Sequence, residues 1–149
     1  MKSLILAAAV VLALLGFAPT AGAVPVNMPC AANGDPLQAC DGGVFTYAFS
    51  DGNATRTEGW ALKFTLDPNE NCAPINLRWR AVPNGGPITV IGTDRLAPGQ
   101  TSPVHEILNT GGKGASVELH ANGIQEGCNT GSLMQWVGDL DIETIQSPA

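Results

Sequence analysis

Beyond residue 17 the chain has no long hydrophobic run, and charge of either sign is sparse: Asp, Glu, Lys and Arg together make up 13% of its 149 residues. No stretch repeats its apolar residues at the helical period of 3.6, which argues against a helical core. Basic residues are scarcest. Lys and Arg number seven against thirteen Asp and Glu, and one of the seven, Lys2, stands at the extreme N-terminus. An acidic chain without a basic cluster repels phosphate backbones, so no nucleic-acid partner is expected, and anionic membrane surfaces are disfavoured likewise. No Cys-x-x-Cys pair is present, which argues against a zinc site built from thiolates. No Gly-x-Ser-x-Gly is present either, so the sharp turn that presents a hydrolase serine is missing.

What is present begins with a leader. Met1-Lys2 gives a positive start, Leu4 to Phe17 is apolar throughout, and Ala21-Gly22-Ala23 is a small-residue cleavage pattern. The run is shorter than the ~20 residues that span a bilayer. Residues 1–23 are therefore expected to be a cleaved signal peptide, with no membrane insertion afterwards and a secreted, extracellular product. The mature chain would start at Val24 and carry thirteen acids against six bases, a formal charge of −7. Its length suits one domain. Four cysteines, Cys30, Cys40, Cys72 and Cys128, travel with it. In an oxidising compartment they read as two disulfides. Of three possible pairings, Cys30–Cys40 with Cys72–Cys128 is favoured. The first closes a small loop and the second ties a connector to a late turn, contributing roughly 3 and 4 kcal/mol by loop-closure entropy.

Gly (18) and Pro (11) are plentiful, which suits many short strands joined by tight turns. Residues 24–43 read as an extended arm ending in the disulfide loop, because Pro25, Pro29, Asn33-Gly34 and Asp35-Pro36 interrupt any period. Residues 44–145 carry the strands. Val44 to Ser50 sets Phe45, Tyr47 and Phe49 on one face. Trp60 to Leu66 and Ile75 to Ala81 alternate strictly, so each buries one face and wets the other. Ile88 to Ile91 is a short strand, and residues 94–102 read as a crossing loop. Pro103 to Asn109 and Ala115 to Ala121 flank Thr110-Gly-Gly-Lys-Gly114, a hairpin signal. Residues 132–145 form a last long strand and 146–149 a tail. Seven or eight strands in this rhythm predict an all-β, antiparallel two-sheet sandwich, immunoglobulin-like in architecture, with a closed barrel as the alternative.

Gly59-Trp-Ala-Leu-Lys-Phe-Thr-Leu66, Trp79 and Leu96-Ala-Pro-Gly-Gln-Thr-Ser102 together resemble bacterial secreted immunoglobulin-like and cellulose-binding β-sandwich modules. The resemblance covers about a third of the chain. It implies a sandwich fold, cysteines joined near the two ends, and a flat row of exposed tryptophans that holds cellulose. The alternation implies the contrary for the tryptophans. Trp60 shares a face with Leu62, Phe64 and Leu66; Trp79 with Ile75 and Leu77; Trp136 with Met134, Leu140 and Ile142. All three read as core, where an aromatic buries most area.

Two charge stripes project from the other faces: Asp139, Asp141 and Glu143 on the last strand, Arg78 and Arg80 on the central one. In an immunoglobulin-like sheet they would meet as a cross-strand ladder, each exposed pair contributing under ~1 kcal/mol. The hairpin supplies candidate metal or acid–base residues. A loop at 110–114 sets Glu106 opposite Glu118 with His120 diagonal to them, an O,O,N set if one cation holds the carboxylates together. The plain alternative is a solvated face. His105 falls on the opposite, inner side and reads as a hydrogen-bonded, partly buried residue. Asp67-x-Asn69-x-Asn71 begins like a calcium loop, but Cys72 and Arg78 stand where Gly and Glu are needed, so the match is coincidental. Ser102 and Ser132 have no link to a histidine, and Asn53-Ala-Thr55 is a formal glycosylation acceptor.

These features predict a non-catalytic binding or interaction module with no cofactor, meeting an extracellular or cell-envelope protein or glycan. The alternatives are a secreted hydrolase or metal-dependent enzyme using Glu106, Glu118 and His120, a hydrolase inhibitor presenting the Cys30–Cys40 loop, and a surface structural subunit adding edge strand to edge strand.

Overall fold

The computed structural model describes residues 22–29, 43–49, 57–83, 86–108, 114–124, 126, 128 and 135–146. Among them run eight strands: β1 (Gly22–Pro29), β2 (Gly43–Phe49), β3 (Thr57–Leu66), β4 (Ile75–Pro83), β5 (Thr89–Leu96), β6 (His105–Leu108), β7 (Ala115–Gly123) and β8 (Gln135–Gln146). They form two antiparallel four-stranded sheets: sheet I in the order β1-β8-β3-β6 and sheet II in the order β2-β7-β4-β5. No helix among the described residues is long and apolar enough to cross a membrane.

The pairing has a simple rule. β1 lies beside β8, β2 beside β7, β3 beside β6 and β4 beside β5. One long antiparallel ribbon folded in half and rolled into two layers gives this order, the double-Greek-key jelly roll. The sandwich expected from the alternation is therefore present, while the immunoglobulin-like arrangement is not. That order would set the first strand beside the second; here they occupy opposite sheets.

Three segments differ from expectation for local reasons. The expected arm is partly a strand: Val26 and Met28 are buried, and they alternate with Pro25, Asn27 and Pro29. Proline is tolerated because β1 is the edge of sheet I, where a missing N–H that would face outward costs no ladder bond. The expected hairpin around residues 110–114 does not form, because β6 belongs to sheet I and β7 to sheet II. The loop expected at 94–102 starts later, since β5 runs to Leu96. Cys30 and Cys40, with residues 1–21 and 147–149, lie outside the described residues. Cys72 and Cys128 are joined, with Cα atoms 5.8 Å apart.

The inner faces are as the period-two pattern requires. Trp60, Leu62, Phe64 and Leu66 of β3 oppose Leu77, Trp79, Val117 and Leu119 of sheet II, all buried. Trp136 and Leu140 extend this layer along β8. Each large side chain so buried contributes about 2–3 kcal/mol. None of the three tryptophans is more than 7% exposed, so they form the core and not a sugar platform.

Candidate functional site

The most specific polar arrangement lies at the seam where the edge of sheet II, β5, meets the edge of sheet I, β6. β5 carries a bulge: Trp79 faces Gly92 and Arg80 faces Val90, leaving Ile91 unmatched. The bulge brings Gly92 under the His105 ring, and a Cβ on Gly92 would collide with Cε1 and Nδ1 of that ring. Into this seat His105 places its imidazole against Trp79, with ring centroids 4.7 Å apart and planes tilted by 39°. Asp94 Oδ2 then accepts two hydrogen bonds, from Trp79 Nε1 at 2.7 Å and from His105 Nε2 at 2.6 Å. An ionised carboxylate only accepts, so Nε2 carries the proton. The two side chains are 11% and 12% exposed.

An Asp–His pair is also the orienting half of an acid–base dyad, which needs a nucleophile or a reacting proton within reach. Ser102, the hydroxyl nearest to His105 in sequence, is buried and already committed. It accepts from the Phe64 N–H at 3.1 Å and donates to the Pro103 carbonyl at 2.8 Å. The arrangement is thus a latch: one carboxylate on sheet II holds an indole of its own sheet and an imidazole of the other. The partly buried, hydrogen-bonded state expected of His105 is what the structure shows; its partner, Asp94, was not foreseen. The available signal was parity, because Gly92, Asp94 and Leu96 share the inward face of β5.

The candidate set Glu106, Glu118 and His120 is not brought together. Glu106 is exposed on β6 of sheet I opposite Ala61, whereas Glu118 and His120 project from β7 of sheet II. The expected facing pair assumed a hairpin that the topology does not make. Instead, Glu118 Oε2 takes His120 Nε2 at 3.1 Å and Arg80 Nη1 at 3.3 Å. Arg80 also approaches His120 Nε2 at 3.4 Å. One ring nitrogen cannot both accept from Arg80 and donate to Glu118, and the shorter, charge-assisted contact decides for Glu118. No group of three His, Cys, Asp or Glu among the described residues is placed to hold a metal ion.

The expected charge ladder is also absent. Asp139, Asp141 and Glu143 lie on β8 in sheet I, and Arg78 and Arg80 on β4 in sheet II, so the stripes point out of opposite sides of the sandwich. Across the outer face of sheet II, Arg78 stands between Thr93 and His120, with Val44 beyond the histidine. Arg80 stands between Val90 and Glu118, with Thr46 beyond. Val44 and Val90 are 52% and 61% exposed.

The Asp67–Cys72 connector is structural. Asp67 Oδ1 accepts from the N–H groups of Asn69 and Glu70, forming a tight turn. Asn71 is buried, and its amide donates to the carbonyls of Asp67 and Val137 while accepting from the Val137 N–H. It pairs with β8 as a backbone unit would. Replacing Asn71 by alanine removes the acceptor of the Val137 N–H, while the Val137 carbonyl keeps its bond from the Asp67 N–H, and is expected to cost about 1–3 kcal/mol, whereas Asn71→Asp should retain the acceptor and lose less. Urea unfolding of the two variants checks this, and equal stabilities would remove the explanation. Ser132 and Asn53 lie outside the described residues.

No protein-family model and no curated protein sequence matches the chain. Among solved structures it is similar to the Yersinia pseudotuberculosis-derived mitogen, at 15% identity and a TM-score of 0.45, over 87% of this chain and 90% of that one. It is also similar to a chain from the infectious bursal disease virus Gx strain, at 15% identity and a TM-score of 0.25, over 85% of this chain and 34% of that one.

Proposed function

We propose that the protein is an exported jelly-roll module that acts by binding, without catalysis, at the cell surface or in the extracellular space. Its recognition surface is the outer face of sheet II, and its partner presents negative charge there. The supporting observation is the placement of charge. A mature chain of formal charge −7 turns Arg78 outward with no ion-pair partner among the described residues, beside Arg80, on one flat face rimmed by exposed Val44 and Val90. A rigid sheet carrying guanidinium groups and exposed aliphatics suits a carboxylate-bearing surface. The inward-facing Asp94, His105 and Ser102 are taken up by structural bonds, which agrees with a non-catalytic role.

The test is binding of the mature chain to immobilised uronate-bearing and neutral glycans in parallel. Retention on the acidic series, weakened at least about tenfold, or ~1.4 kcal/mol, by Arg78→Ala with Arg80→Ala, is the expected result. Equal retention by the variant, or turnover of any glycan, would discard the reading.

A further inference from the structure

The two outer faces of the sandwich are complementary to each other. Among the described residues, sheet I turns outward Glu106, Asp139, the half-buried Asp141 and Glu143, with Lys63 as the one cation. Within that face, Glu106 of β6 and Glu143 of β8 both lie directly opposite Ala61 of β3, one on each side. Strands are spaced ~4.8 Å apart, so the two carboxylate-bearing residues flank a small side chain across roughly 10 Å. The result is a shallow acidic notch with alanine as its floor. Neither glutamate has a hydrogen-bond or ion-pair partner among the described residues, and neither has Arg78 on the opposite side of the molecule. An unpartnered guanidinium and an unpartnered pair of carboxylates thus occur on one chain.

We infer that the partner seated on the arginine face is a second copy of this chain, whose Glu106–Ala61–Glu143 notch receives Arg78. This rests on the binding role proposed above and names the occupant of that same face. Charged residues recur at every second position on both β4 and β8, a repeat of ~6.7 Å on each, so the stripes match in spacing. The net negative charge of both copies does not prevent the contact. At physiological salt, charges farther apart than ~8 Å are largely screened, while facing side chains are not. Geometry then dictates the kind of assembly. The complementary faces lie on opposite sides of a two-layer body, so a contact between unlike faces leaves each end of the pair with one face free. Such a head-to-tail contact propagates into a column unless a rotation closes it into a ring. A face four strands wide buries only a few hundred Å² per partner, which makes each contact weak.

The test uses charge reversal on exposed positions, followed by sedimentation velocity of the mature chain up to about millimolar concentration, where a weak contact is populated. The wild type is expected to grow past the dimer as concentration rises. Arg78→Glu, which keeps the notch, and Glu106→Lys with Glu143→Lys, which keeps the arginine, are each expected to remain monomeric. Mixed in equal amounts they should associate again and grow past the pair, because the native faces fit one another and the two reversed faces also carry opposite charges. Thermal unfolding of each variant shows that the fold is retained. A wild type that stays monomeric, variants that associate as the wild type does, or a mixture that stays monomeric would each overturn the inference. If the wild type stays monomeric yet is retained on the acidic glycans through Arg78 and Arg80, the binding role stands and only the self-partner falls. If neither occurs, both fall.

Discussion

Replacing both Cys72 and Cys128 by serine is expected to lower the unfolding free energy by about 4 kcal/mol. The bridge spans 56 residues of sequence, and closing a loop of that size removes this much conformational freedom from the unfolded chain. Both half-cystines are exposed, so their removal opens no cavity, and the loss falls on the unfolded ensemble and not on the packing. Two consequences distinguish this origin. The melting temperature should fall by roughly 10–20 °C for a domain of this size, and the urea m-value should rise as the released chain expands. Reduced wild type should lose at least as much stability as the double variant. A change under ~1 kcal/mol would mean that the connector is already held by Asn71 and that the bridge constrains little.

The second large effect is expected at the seam. Asp94→Ala should cost about 3 kcal/mol, because it orphans two donors, one of them the fully buried Trp79 indole. Asp94→Asn retains an acceptor and should cost about half as much. A mutant cycle shows whether the imidazole seat is the physical reason for Gly92. Gly92→Ala forces its new methyl into the His105 ring and should cost about 2–3 kcal/mol in the wild type. In a His105→Ala background the ring is gone, and the same substitution should cost under ~1 kcal/mol, a coupling readable by chemical denaturation. Strict additivity of the two changes would show that Gly92 is needed for the bulge alone. The cycle also probes communication between the sheets, since Gly92 and Asp94 belong to one layer and His105 to the other.

Much of the architecture is legible in the sequence because alternation encodes which face of a strand is dry. Trp60 to Leu66 and Ile75 to Ala81 could be assigned as half-buried strands, and the three tryptophans as core, from period alone. Alternation does not encode which strand is the neighbour. Glu106 and Glu118 therefore looked like partners across a turn, although the roll-up sends their strands to different sheets. The same blindness joined the arginine and carboxylate stripes into one ladder. β1 was hidden for another reason: its wet positions are Pro25, Asn27 and Pro29, residues that signal a loop anywhere except an edge. Asp94 escapes the alternation because residues 94–102 read as a loop, whereas β5 runs on to Leu96.

The rolled topology also bears on how the molecule comes into being. Asn27 and Gln135, whose side chains bond at 2.9 Å, are 108 positions apart, and the first strand finds its ladder only on the last. A nascent chain cannot complete that layer until its C-terminal segment has emerged. Folding is then a late, whole-molecule event with slow, long-range closure, and until it occurs the polypeptide remains threadable.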